Sequence, residues 1–131
     1  MPTIRPILAA AAMLVTTSLA ACGGGSPLSG DLNLVGTEPF WAMQIRKETK
    51  TAKFSRPGSS DIDVGYPAET KTKEGAIVLT SPSPEGDVVM MLTKAKCQDG
   101  MSDREYPWEA TVLFNGRTLK GCAGPPQHGE G

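Results

Sequence analysis

Trp108-Glu109-Ala110-Thr111-Val112-Leu113-Phe114-Asn115-Gly116-Arg117-Thr118-Leu119-Lys120 is the stretch whose pattern decides the fold. Trp108, Ala110, Val112 and Phe114 fall on one side of an extended chain. That two-residue period is the mark of a strand with one buried face. Asn115-Gly116 comes at once after it, and both residue types tolerate the positive φ that a two-residue hairpin turn demands. The stretch therefore predicts a hairpin whose return strand runs over Arg117 to Lys120.

The same signals recur upstream. From Phe40 to Lys47, Trp41, Met43 and Ile45 alternate with Ala42, Gln44 and Arg46. Ala76 to Thr80 (AIVLT) and Asp87 to Leu92 (DVVMML) are short apolar runs carrying β-branched residues. Breakers separate the runs at Pro57-Gly58, Gly65, Pro67, Gly75, Pro82, Pro84, Gly86 and Pro107. No stretch keeps a helical period without interruption, and there is no internal repeat. The expectation is an all-β domain of about seven short antiparallel strands. A closed or nearly closed small barrel manages the exposed edges best, with a sandwich as the alternative.

Composition narrows the function. A chain of 131 residues holds one ordinary domain. Thirteen basic against fourteen acidic residues give a formal charge of −1, too little positive charge for a nucleic-acid binder that relies on phosphate neutralisation. His128 is the one histidine, so a multi-histidine metal site within one chain is excluded. Apolar residues at 39% against charged residues at 21% are enough for most of the chain to fold.

The first 21 residues read as an address rather than as fold. Arg5 precedes Ile7 to Ala21, a run of 15 residues without a charge. A membrane-spanning helix needs roughly 20 apolar residues, so the segment reads as a secretory signal. Its end, Leu19-Ala20-Ala21-Cys22, resembles a bacterial lipobox. That resemblance implies cleavage before Cys22, diacylglycerol on its sulfur and a further acyl chain, such as palmitate, on the new amino terminus. Gly23 in the next position implies the periplasmic face of the outer membrane, because aspartate there favours inner-membrane retention. Residues 22–30 then form a lipidated cysteine and flexible tether, 31–123 the β-domain, and 124–131 a disordered tail. Removing 21 of 131 residues leaves 110, and the loss of Arg5 takes the formal charge from −1 to −2.

Cys97 and Cys122 remain after Cys22. Beyond the inner membrane the surroundings are oxidising, and small exported domains often carry disulfides, so the two are expected to pair. Closing a loop of 25 residues stabilises by about 3 kcal/mol on the chain-entropy model. A metal site using both thiols and His128 is the alternative, but it lacks a CxxC pair.

Three segments stand out: Gly36-Thr37-Glu38-Pro39-Phe40-Trp41, Cys97 to Pro107 (CQDGMSDREYP), and Gly121-Cys122-Ala123. Together they resemble a family of small bacterial envelope lipoproteins with GTEPFW-like and CxDGMSDxxYP-like motifs and a closing GCA. Related segments occur in proteins carrying the heat-shock-associated META domain. The resemblance covers most of residues 34–123. It implies an exported β-domain with a disulfide and a role in stress or envelope maintenance. No activity comes with it.

The DGMSD segment has three readings. As a turn, Asp99-Gly100 supplies the left-handed residue and Ser102 or Asp103 caps local backbone donors. As a recognition surface, a loop pinned by a disulfide presents Asp99, Met101, Ser102, Asp103, Arg104 and Tyr106 at low ordering cost. As a cation site, Asp99, Asp103 and Glu105 offer oxygens, though not at the spacing of a calcium loop. Trp41 reads as core at its strand position, and is also the second choice as a partner contact. Glu38 with Asp99 or Asp103 would make a carboxylate pair for acid–base chemistry, if the fold brings them together. Met43, Met90, Met91 and Met101 offer thioethers to Cu(I), although three of them sit in apolar runs that suit a core.

There is no G-x-S-x-G elbow and no glycine-rich phosphate loop. The expectation is therefore not an enzyme and no cofactor. The leading expectation is a membrane-anchored binding or envelope-maintenance module whose partner is an envelope protein or cell-wall component. Its expected contacts are Asp99, Ser102, Asp103, Arg104 and Tyr106. A lysozyme-inhibitor-like lipoprotein and a periplasmic metal-ion binding protein are the alternatives.

Overall fold

The computed structural model describes residues 25–100 and 103–127. The signal segment, Cys22, Met101, Ser102 and His128 lie outside the described residues. The described chain forms nine strands and one short 3-10 turn at Pro27–Ser29. The strands are β1 (Leu32–Thr37), β2 (Phe40–Arg46), β3 (Thr51–Ser55), β4 (Ile62–Val64), β5 (Ala68–Lys71), β6 (Ile77–Ser81), β7 (Val88–Gln98), β8 (Glu105–Phe114) and β9 (Arg117–Gly124). They make one antiparallel sheet in the order β4-β3-β2-β1-β9-β8-β7-β6-β5, curled into a half-barrel. A two-sheet sandwich is thereby replaced by a single curled sheet.

The hairpin read from the sequence is present. Phe114 pairs with Arg117, and Asn115 and Gly116 carry φ of 48° and 75° between them. The inward residues of that strand, Trp108, Ala110, Val112 and Phe114, are all buried. They pack with Trp41, Met43 and Ile45 of β2, with Leu79 of β6, and with Val88, Met90 and Leu92 of β7. Alternation and core agree in these strands because each buries one face only.

Nine strands rather than about seven reflect one bent stretch, residues 62–71. Every neighbouring pair is antiparallel, so the two edge strands β4 and β5 run in the same direction. Gly65-Tyr66-Pro67 joins them. The first half pairs with β3 and the second with β6. Between them Gly65 N donates to Pro82 O at 2.7 Å. The two edges of the sheet are thus the two halves of one kinked segment, and the kink draws the curl together. Proline and glycine are tolerated at such a corner, where ladder bonding switches neighbours.

The domain boundaries shift outward. Pro27 is buried and Leu28 packs against the core, within the span expected as tether. Lys47 N donates to Asp31 Oδ1 at 2.9 Å, and Lys47 Nζ to Ser29 O at 2.9 Å. At the other end Gly124, expected in the tail, pairs with Asn33 as the last residue of β9. The antiparallel order puts the start of β1, the end of β9 and the 47–50 turn at one mouth, here the N-terminal mouth. The turns at 38–39, 56–61, 82–87 and 115–116 lie at the far mouth.

Candidate functional site

β1 and β9 pair only over three residue pairs, ending at Val35 opposite Cys122. Beyond that point two glycines face a crowded gap. A Cβ on Gly121 would stand 2.0 Å from Val35 O, and one on Gly36 would stand 1.9 Å from Trp41 Nε1. The indole fills the gap and donates from Nε1 to Lys120 O at 3.1 Å. The side chain of β2 thereby satisfies a carbonyl on β9, and the two backbones part above it.

β7 is the long strand, and its register slips between Lys94 and Cys97, a bulge. Bulges bend a strand and re-aim the side chains beyond the bend. Here the bend carries Cys97 to Cys122 of β9, across the intervening strand β8. The two form a disulfide with Cα atoms 5.6 Å apart, as the cysteine arithmetic leads one to expect. Cys97 Sγ also lies 3.4 Å from Gly121 O.

Where the β1–β9 ladder ends and the end of β7, leading to β8, is drawn over by the disulfide, an open cleft of about 260 Å³ forms. Thr37 and Glu38 line it from the end of β1, Gln98 and Asp99 from the end of β7, and Lys120 and Gly121 from β9, with the disulfide in its wall. Glu38 belongs to the two-residue turn into β2, and its peptide bond to Pro39 is cis. All three segments singled out in the sequence contribute. Glu38 and Asp99, the carboxylates whose meeting the sequence leaves open, line the same cleft, as does Lys120.

The expected contact residues divide. Asp99 is half-buried and accepts from the Tyr106 hydroxyl at 3.0 Å. Tyr106 is buried, with the Arg104 guanidinium 4.2 Å above its ring. Arg104 also donates from Nη2 to Pro125 O. These three side chains tie the tip of the β7–β8 hairpin together and to the end of β9, and Gly100 carries the positive φ, 81°, that the turn reading expects. Asp103 is exposed. Ser102 is outside the described residues. Trp41 is wholly buried in the core and does not line the cleft, so its expected role as a partner contact is corrected, and its neighbour Phe40 is the exposed ring. Met43 and Met90 are buried in the core. Among the described residues no three of His, Cys, Asp and Glu converge as a metal would need.

Gln98 lies within the Cys97 to Pro107 segment but is not picked out there, and Lys120 stands just before Gly121-Cys122-Ala123, outside the motif. Lys120 reaches the cleft because β9 lies beside β1, which is far away in sequence. At the far mouth Arg56 donates to Glu85, with Nη1 and Oε2 2.7 Å apart. That hydrogen bond, then the charge behind it, holds the Glu85 carboxyl below its ordinary value. Comparisons with protein families, with curated proteins and with solved structures find no match for this chain.

Proposed function

We propose that this chain is an envelope lipoprotein, acylated on Cys22 at the periplasmic face of the outer membrane, whose β-domain is a non-enzymatic binding module. Its contact surface is the disulfide-walled cleft. The observation that carries this reading is convergence: residues 36–38, 97–99 and 120–122, scattered through the chain, line one open cleft. Two acids and one ammonium there suit a partner carrying both charge signs, an envelope protein or an amino-sugar and peptide wall component. The disulfide and the Asp99–Tyr106 hydrogen bond hold the rim before a partner arrives, which lowers the ordering cost of association. A lysozyme-inhibitor role shares the fold class alone, and fold by itself does not carry function.

The test is capture from solubilised envelope by the full chain, beside a Glu38→Gln/Lys120→Ala variant and an Asp103→Ala variant. Capture of a partner by the unaltered chain, weakened at least about tenfold by the cleft variant, is the expected result. Equal capture by chain and cleft variant, or none by either, overturns the cleft as contact surface. Metabolic labelling with an alkyne fatty acid tests the anchor: label that survives Cys22→Ala removes it.

A further inference from the structure

The far mouth of the half-barrel holds a second concavity, apart from the cleft. Phe54, Phe114 and Leu119 form its apolar floor, all three buried. Phe54 and Phe114 meet edge to face, with ring centroids 5.3 Å apart and planes at 86°. Its rim carries Arg56, Ser59, Asn115 and Arg117. The volume is about 140 Å³. An engineered apolar cavity of roughly 150 Å³ holds a benzene molecule, so a six-carbon ring matches the space here.

The rim is cationic, with two arginines and no carboxylate lining the cup. Arg56 is held in place. It donates from Nε to Ser60 O at 3.2 Å and from Nη1 to Glu85, and its guanidinium stands 6.0 Å from the Phe114 ring centre. Arg117 pairs with Phe114 across the Asn115-Gly116 turn, which sets it at the opening. Glu85 is engaged by Arg56 and does not line the cup. A bare inorganic anion leaves the phenylalanine floor wet, and a neutral ring makes no use of the Arg117 guanidinium at the opening. A carboxylate on a compact apolar body answers both, because a guanidinium–carboxylate hydrogen bond is among the stronger polar contacts.

We propose that this cup binds a small monocarboxylate whose body is a ring or branched chain of about benzene size, seated on Phe54, Phe114 and Leu119 with its carboxylate against Arg117 and Arg56. The ligand class is set by floor, rim and volume together, and the site is independent of the cleft.

Titration of the full chain with benzoate, followed by amide chemical shifts, tests it. Benzyl alcohol and acetate serve as comparators, one lacking the charge and the other the ring. Benzoate is expected to bind at least about tenfold more tightly than either, with shifts centred on Phe54, Phe114 and Asn115. Arg117→Gln, an exposed turn-flanking change, weakens benzoate about tenfold and leaves benzyl alcohol unchanged. Ser59→Trp, an exposed loop change, covers the opening and abolishes binding. Glu38→Gln, in the cleft, has no effect, which separates this site from the proposed partner surface. Benzoate and benzyl alcohol binding alike, unaltered affinity in Arg117→Gln, or no benzoate shifts up to about 10 mM each overturn the assignment.

Discussion

The Trp41 indole fills the space between two parting strands and also answers the Lys120 carbonyl. It can do both because Gly36 has no side chain to compete for that space, whereas the bare Cα of Gly121 lets the β1 backbone come close. At Gly121 the obstacle is backbone, Val35 O at 2.0 Å and Gly36 Cα at 2.9 Å from an added Cβ, so no rotamer change relieves it. Gly121→Ala is therefore expected to destabilise by about 3 kcal/mol in a urea titration, the upper range for overpacking a tight site. A loss under about 0.5 kcal/mol would show that β1 and β9 separate freely, and that the cleft is not a fixed feature. Periodicity alone places Trp41 on the inward face. Its acceptor lies 79 residues away, and no local signal marks so distant a partner. The same distance hides Lys120 as a site residue, whereas Asp99 and Tyr106 can be picked out because both sit inside one short motif.

At the level of elements, legibility tracks burial. Among strands that bury one face, β2 and β8 announce themselves by alternation, and β6 and the first half of β7 by short apolar runs with β-branched residues. β5 is exposed along its whole length and β4 has only three residues, so neither carries a period to read. The second half of β7, Thr93 to Gln98, is mostly exposed and polar. It is a strand because β8 pairs with it, and it bends because the register slips there. The disulfide then holds the bent end down. Removing it with Cys97→Ser/Cys122→Ser is expected to cost about 3 kcal/mol, the value for closing a loop of 25 residues. Tyr106→Phe, which deletes only the hydroxyl donated to Asp99, is expected to cost about 1 kcal/mol. The sharper readout is amide exchange. In the cysteine double variant, protection should fall across residues 97–106 while β1 to β3 keep theirs, because the hairpin tip opens as a local unit. Unchanged protection at the tip would mean that the Tyr106, Asp99 and Arg104 contacts hold it without the covalent bond.

At the scale of the whole molecule, the two mouths of the half-barrel face different surroundings if Cys22 carries the anchor. Gly25 is the first described residue, three positions after Cys22, and that much chain spans at most about 11 Å. From Ser26 onward the chain is tied to the N-terminal mouth. Ser26 Oγ bonds Glu69, Leu28 packs on the core, and Lys47 grips Ser29 and Asp31. An anchor on Cys22 would therefore fix an orientation as well as an address. The 47–50 turn, with Lys47 and Lys50, would then stand nearest the lipid, where cations favour an anionic surface. With such an anchor, strands β1 and β2, of 6 and 7 residues, would place the Asn115-Gly116 turn and the proposed cup about 20 Å further from the membrane. Acylated protein in vesicles doped with a spin-labelled lipid should lose amide signal first at residues 47–50 and last at 115–116. Unacylated Cys22→Ser protein should show neither loss. The reverse order, or equal broadening at both mouths, would mean that the tie at the N-terminal mouth does not hold on the membrane, and that the cup cannot be reserved for solutes arriving from the periplasmic side.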